Sequence, residues 1–145
     1  MERAALGVRI HSGWGVLVAV TGAVNIIERR RVDVITNEMH AKHRGNQPYH
    51  RAKELGLPEA KKYLVEYTAE SDRLAREAIS NTIADLESRG YEIIAVALLL
   101  SGGRKLRPLP QILASHPLIH TAEGELFRQT IRRSCESLAI LVRIA

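Results

Sequence analysis

Between Val8 and Ile35 the apolar positions fall in short runs rich in β-branched residues, Val8 to Ile10, Gly15 to Val20 and Asn25 to Ile35, separated by His11-Ser12-Gly13 and Thr21-Gly22-Ala23. β-Branched runs bounded by turn formers predict strands, and their close spacing predicts an antiparallel meander. From Glu28 onward the third run alternates, with Arg29 and Arg31 on one face and Arg30 and Val32 on the other. Neither face is wholly apolar, which suits the edge of a sheet, where charge discourages further pairing. Residues 36 to 58 lose periodicity and carry His40, His43 and His50, which predicts a long loop. From Pro58, Ala60, Tyr63, Leu64, Tyr67, Leu74, Ala75, Ala78, Ile79, Ile83 and Leu86 recur at spacings of three and four. That period predicts one long amphipathic helix, started by Pro58 and stopped by Gly90.

The apolar octet Ile93 to Leu100 then predicts a strand buried on both faces and paired in parallel inside a sheet. Ser101-Gly102-Gly103-Arg104 ends it, and Leu109 to Ser115 reads as a short helical piece. Leu118 to His120 reads as a brief strand, and Thr121 to Leu138 as a second amphipathic helix with Thr121 as its N-cap. Ile140 to Ile144 is a last apolar segment. The expected architecture is one α/β domain over residues 1–145, a three-strand antiparallel meander extended by parallel strands in the order β-β-β-α-β-α-β-α.

That order resembles the ribonuclease H-like fold over residues 4 to 138. Two stretches, Arg9-Ile10-His11-Ser12-Gly13-Trp14 and Ala114 to Arg128, are similar to a group of bacterial proteins with no assigned activity. The chains of that group continue beyond the equivalent of Ala145. The fold resemblance implies that the first, third, fourth and fifth strands run the same way, so that their carboxyl ends share the edge where open α/β sheets bind ligands. His11 and Ser12, the histidine-bearing loop, Ser101 to Arg104, and His120, Thr121 and Glu123 would then gather on one surface.

Composition narrows the classes. With 145 residues, 46% of them apolar, the chain can build a core without disulfide or metal staples. Cys135 is the single cysteine, which fits a reducing cytoplasm, and the apolar runs are far shorter than a membrane span. A cytoplasmic protein without a membrane segment is expected. The net charge of +5 is uneven. Residues 1 to 53 hold nine basic and four acidic residues, 54 to 103 five and nine, and 104 to 145 seven and three. Two basic ends around an acidic middle allow an anionic partner, a phosphate-bearing small molecule or a nucleic acid.

Nucleases with the ribonuclease H-like fold hold two divalent ions on several carboxylates, because hard cations prefer oxygen ligands. This chain offers Arg9 and His11 at the first strand and Ser101-Gly102 after the fourth, and only Glu123 and Glu125 remain for the last carboxylate. A two-metal nuclease is disfavoured. His11, His120 and Glu123 are instead candidates for acid/base work or for one transition-metal ion, since imidazole and carboxylate suit such ions and leave a position for water. Ser12, Ser101, Gly102, Gly103 and Arg104 are the candidate ligand-binding groups, glycine amides and a guanidinium forming an oxyanion cradle. A serine nucleophile at Ser12 or Ser101 ranks lower, neither lying in a G-x-S-x-G elbow. His116 precedes Pro117 and is expected to be extended, about 13 Å from His120 at the rise of a strand. That pair is therefore not placed on one ion. Trp14 offers a face for a base.

Two functions follow as expectations. One is a ribonuclease H-like domain binding or acting on a phosphate-bearing ligand at the carboxyl edge of the sheet, with a divalent ion as an open option. The other is a non-catalytic module binding nucleic acid or protein. A homodimer closed through Arg29 to Val34 or Ile140 to Ile144 is a third, structural, possibility.

Overall fold

The computed structural model describes residues 1–41, 45–100, 105–138 and 140–144. Strands β1 (Glu2–Ile10), β2 (Trp14–Thr21) and β3 (Ile26–Asp33) form the antiparallel meander. Its first turn depends on Gly13, whose φ of 88° lies where a side chain is strained. A Cβ there would also sit 2.8 Å from Cδ1 of Ile35. The chain continues through α1 (Asn37–Ala41), α2 (Pro48–Lys53) and α3 (Leu57–Ser88) to β4 (Tyr91–Leu98), then through α4 (Leu109–Leu113) and α5 (His116–Glu136) to β5 (Leu141–Ile144). The sheet order is β3-β2-β1-β4-β5, with β4 parallel to β1 and β5 parallel to β4.

Among the described residues one face of this mixed sheet is packed by helices and the other is open. Leu6, Val8, Leu17, Ala19, Val96 and Leu98 point inward against Tyr67, Ala75, Ile79 and Leu86 of α3 and Leu126, Phe127, Ile131 and Cys135 of α5. The intervening positions, Val16 (37% exposed) and Ile94 (45%), face away from the helices. β4 thus alternates instead of being buried on both faces, which corrects the expectation for the octet. Its uninterrupted apolar sequence reflects a helix layer on one side and small or branched residues exposed on the other.

The edge reading of β3 is correct, and the strand is tied down by charge. Arg30 turns inward, where its guanidinium donates to Asp85 Oδ2 at 2.7 Å and to Glu28 Oε2 at 2.9 Å. Arg89, just after α3, donates to the carbonyl of Ile27 at 2.9 Å. These bonds anchor the edge to the end of α3, where partial burial gives them more weight than fully exposed pairs have.

Beyond the meander the chain departs from expectation at two places. Among the described residues the stretch 36 to 58 holds the short helices α1 and α2 and the start of α3. Further on, Leu118 to His120 is helix rather than strand, and the last strand is Leu141–Ile144. Among the described residues the order is therefore β-β-β-α-α-α-β-α-α-β. The reason is the cap. Ser115, extended at φ −133° and ψ 116°, accepts the Leu118 amide with its hydroxyl and starts α5 six residues before Thr121. Pro117 costs nothing there, because amides of the first turn have no intrahelical acceptor. Thr121 is consequently not an N-cap. It lies inside the helix and returns a hydrogen bond to the Pro117 carbonyl at 3.1 Å.

Cys135 checks the packing of α5. It is fully buried, and burial, with a contribution from Glu136, pushes its thiol up to about 11. Below that pH the thiol is protonated and shielded, so a thiol-reactive disulfide should label native chains at about a tenth of the rate for urea-unfolded chains or less. Equal rates would contradict the buried placement.

Candidate metal centre

Starting α5 at His116 places three polar side chains on one stripe. His116, His120 and Glu123 are spaced by four and three residues, which confines them to an arc of about 60° at 3.6 residues per turn. The imidazoles of His116 and His120 meet with their Nε2 atoms 3.0 Å apart. The expected extended conformation of His116 is thereby overturned, and with it the argument for keeping the two histidines apart.

The third histidine comes from the segment after β3. Helix α2 lies against α3 through Ala52, which is fully buried with Ala60 and Leu64. Small residues at that contact let the two backbones approach closely. Tyr49, next to His50, packs into the neighbouring apolar clusters. This docking directs the first turn of α2 at α5. Gln47, at the N-cap position of α2, offers no capping side chain. Glu123 takes that role from across the fold: its Oε2 accepts the backbone amides of Tyr49 and His50, each at 3.1 Å. The same carboxylate holds His50 Nδ1, which lies 2.9 Å from both oxygens.

Glu123 is only 5% exposed, so it is a buried carboxylate whose desolvation is offset by three N–H groups and by the positive end of α2. Its charge also acts on the neighbouring phenols. Tyr49 is held protonated above its usual range mainly by burial and then by Glu123. Tyr67 is raised further, again chiefly by burial, with Tyr63 and Glu123 contributing, and its hydroxyl donates to the carbonyl of Gly45.

The outcome is a cluster of three imidazoles. One ring nitrogen from each of His50, His116 and His120 lies within 4.8 Å of the other two. With Nδ1 of His50 committed to Glu123, its Nε2 is the nitrogen left for an ion. His116 and His120 are exposed, whereas the His50 side chain is 12% exposed. A tetrahedral ion with Zn–N bonds of about 2.0–2.1 Å needs ligand nitrogens roughly 3.3 Å apart. The two Nε2 atoms on α5 are within a few tenths of an ångström of that spacing. The donor set, all imidazole, suits zinc, copper or nickel better than magnesium or calcium.

The other candidates are distributed differently. His11 follows β1 and stacks on Trp14, ring centroids 4.5 Å apart and planes 25° from parallel. Ser12 lines a pocket with Trp14 and Arg31. Among the described residues, no hydrogen bond, ion pair or ring contact joins His11 to His120 or Glu123. His120 belongs to the cluster, and Glu123 positions His50. Ser101, Gly102, Gly103 and Arg104 lie outside the described residues. Sequence reasoning places His50 only within the histidine-bearing loop at the sheet edge, without a role of its own, and sets His116 aside. For His116 the signal was present, Ser115 followed by proline and a stripe at 116, 120 and 123. For His50 no local signal exists, since its partner is 73 residues away.

No protein-family model matches the chain, and no curated protein matches its sequence.

Glu123→Gln isolates the carboxylate. An amide at this position keeps the volume but presents an NH2 group toward backbone N–H donors, so it should destabilise the fold by about 1–3 kcal/mol. Urea denaturation should show this as a lower midpoint. An unchanged midpoint would contradict the role of Glu123 as the cap of α2.

Proposed function

We propose that this protein is a ribonuclease H-like domain that works through a single divalent transition-metal ion, zinc foremost, bound by His50, His116 and His120, and that its target is a phosphate-bearing ligand. The observation that carries the reading is the convergence of one ring nitrogen from each of three histidines within 4.8 Å, with the ring of His50 held at Nδ1 by a buried carboxylate. Carboxylate–histidine–metal arrangements of this kind set the tautomer and raise the basicity of the ligand. Bound there, zinc would supply Lewis-acid polarisation of a phosphoryl oxygen and an acidified water.

The chain's own groups then divide the work. Glu123 orients His50 and keeps its proton at Nδ1. His116 and His120, exposed on α5, leave one side of the site open to a ligand. The ribonuclease H-like part of the reading is supported by the strand directions, in which β1, β3, β4 and β5 run together and β2 opposes them. That Glu123 and Glu125 are engaged within the protein supports a histidine site over a two-metal carboxylate mechanism. Glu123 faces α2, and the buried Glu125 accepts from Gln129 at 2.7 Å and from Arg128 at 3.2 Å. The net charge of +5 favours an anionic ligand in general, phosphate included.

Equilibrium dialysis against zinc should find one ion per chain, with magnesium unable to compete. His116→Ala and His120→Ala should each weaken zinc binding by about tenfold or more, and Glu123→Gln by about 10–100-fold through the altered placement of His50. The zinc-loaded protein should hydrolyse a chromogenic phosphodiester, and His116→Ala should lose that activity. Absence of stoichiometric zinc, or binding that survives both histidine substitutions, would refute the metal reading; zinc binding without hydrolysis would refute the phosphate-directed part.

A further inference from the structure

The open face of the sheet carries a second arrangement, unrelated to the histidine cluster. Register places Arg9, Val16 and Arg31 side by side across β1, β2 and β3, followed by the row Gly7, Val18 and Arg29. Strand alternation puts all six on the outward face, opposite the inward Arg30. Trp14 lies on the same face, paired with Asp33. The Arg31 guanidinium sits 4.4 Å from the centroid of the Trp14 ring, and His11 stacks on that ring as well. The result is a short pile of planar groups, His11, Trp14 and Arg31, flanked by the cationic side chains of Arg9 and Arg29.

Beside this pile is a pocket of about 420 Å³, lined by Ser12, Trp14, Arg31, Asp33, Asn37 and Asn46 among others. Its size falls in the range of small-ligand sites. The amides and the carboxylate supply the donors and acceptors that a base edge requires. Arg31 also pairs with Asp33 at 3.1 Å, yet its side chain remains 61% exposed. Glu92, opposite Arg3, is an acidic residue at the far end of the face, away from the pocket.

We infer that this face binds a single-stranded nucleic acid, one base entering the pocket or extending the His11–Trp14–Arg31 pile and the flanking phosphates lying along Arg9, Arg31 and Arg29. Planar side chains next to a cationic track are the means by which proteins hold unpaired strands, because every base has a π-face and every linkage a charge. The bases of a duplex are already stacked and paired and could not join the pile. An acidic peptide would engage the arginines but leave the pile and the pocket without a use. A free nucleotide would fill the pocket but leave Arg9 and Arg29 without a phosphate to bind.

Trp14 is the only tryptophan, so its emission reports on this face alone. Titrating the metal-free full chain with a twelve-nucleotide single strand of RNA or DNA should quench it, with affinity falling steeply as salt rises. Fluorescence anisotropy of the labelled strand should show Arg9→Ala and Arg31→Ala each weakening binding by about tenfold and making the salt slope shallower by about 0.7 per arginine removed. Arg31→Lys, which keeps the charge without the plane, should recover only part of the loss. His116→Ala should bind like wild type, which separates this inference from the metal site. The inference is overturned by no binding at low salt, by binding that survives loss of both arginines in folded variants, or by equal affinity for a duplex, a mononucleotide or an acidic peptide.

Discussion

The carboxylate of Glu123 is the contact on which the arrangement of α2 against α5 depends. It is buried, it ends the unpaired amides at the start of α2, and it grips the ring of the first-turn histidine of that helix. A six-residue helix has little stability of its own, since nucleation is costly and few hydrogen bonds follow. Here α2 is kept by tertiary means, with Ala52 packed on α3 and an acid from α5 at its N-terminus. Removing the charge would therefore act on the position of the backbone and on the direction of His50 together. Structure and chemistry at this point rest on the same oxygen atoms.

The rest of the fold gives that contact a rigid setting. α3 and α5 lie on one face of the sheet and share its core through Tyr67, Ile79, Leu126, Phe127 and Ile131. Because both helices are fixed by that core, the stripe His116, His120 and Glu123 has a definite direction, and α2 has a definite surface to meet. Among the described residues no helix is long and apolar enough to cross a membrane. The opposite face of the sheet leaves Arg9, Arg29 and Arg31 exposed and Trp14 half-buried, away from the helices.

Much of this frame was legible in the sequence, for reasons that are local. The meander followed from β-branched runs between turn formers, α3 from a sustained 3.6 period, and the edge position of β3 from the arginines at 29 to 31. Besides the one-sided burial of β4 and the two short helices after β3, the main departure lies at one cap. With Thr121 rather than Ser115 as the start of α5, Leu118 to His120 reads as a strand and two histidines that are neighbours on a helix are separated. The preference of a residue before proline for extended backbone is outweighed there by a serine cap and a proline in the first turn, where it loses no hydrogen bond. His50 was illegible for a different reason. Its place in the cluster is decided by how α2 packs between α3 and α5, and neither the loop-like composition of residues 36 to 58 nor any spacing encodes that docking.

The central claim is that three imidazoles from α2 and α5 form one coordination shell. X-ray absorption at the zinc edge of the stoichiometrically loaded protein tests it most directly. The account predicts a four-coordinate ion with three histidine nitrogens at about 2.0–2.1 Å and one further light atom. A six-coordinate shell dominated by oxygen, or an unchanged spectrum when His116 and His120 are both replaced by alanine, would contradict it.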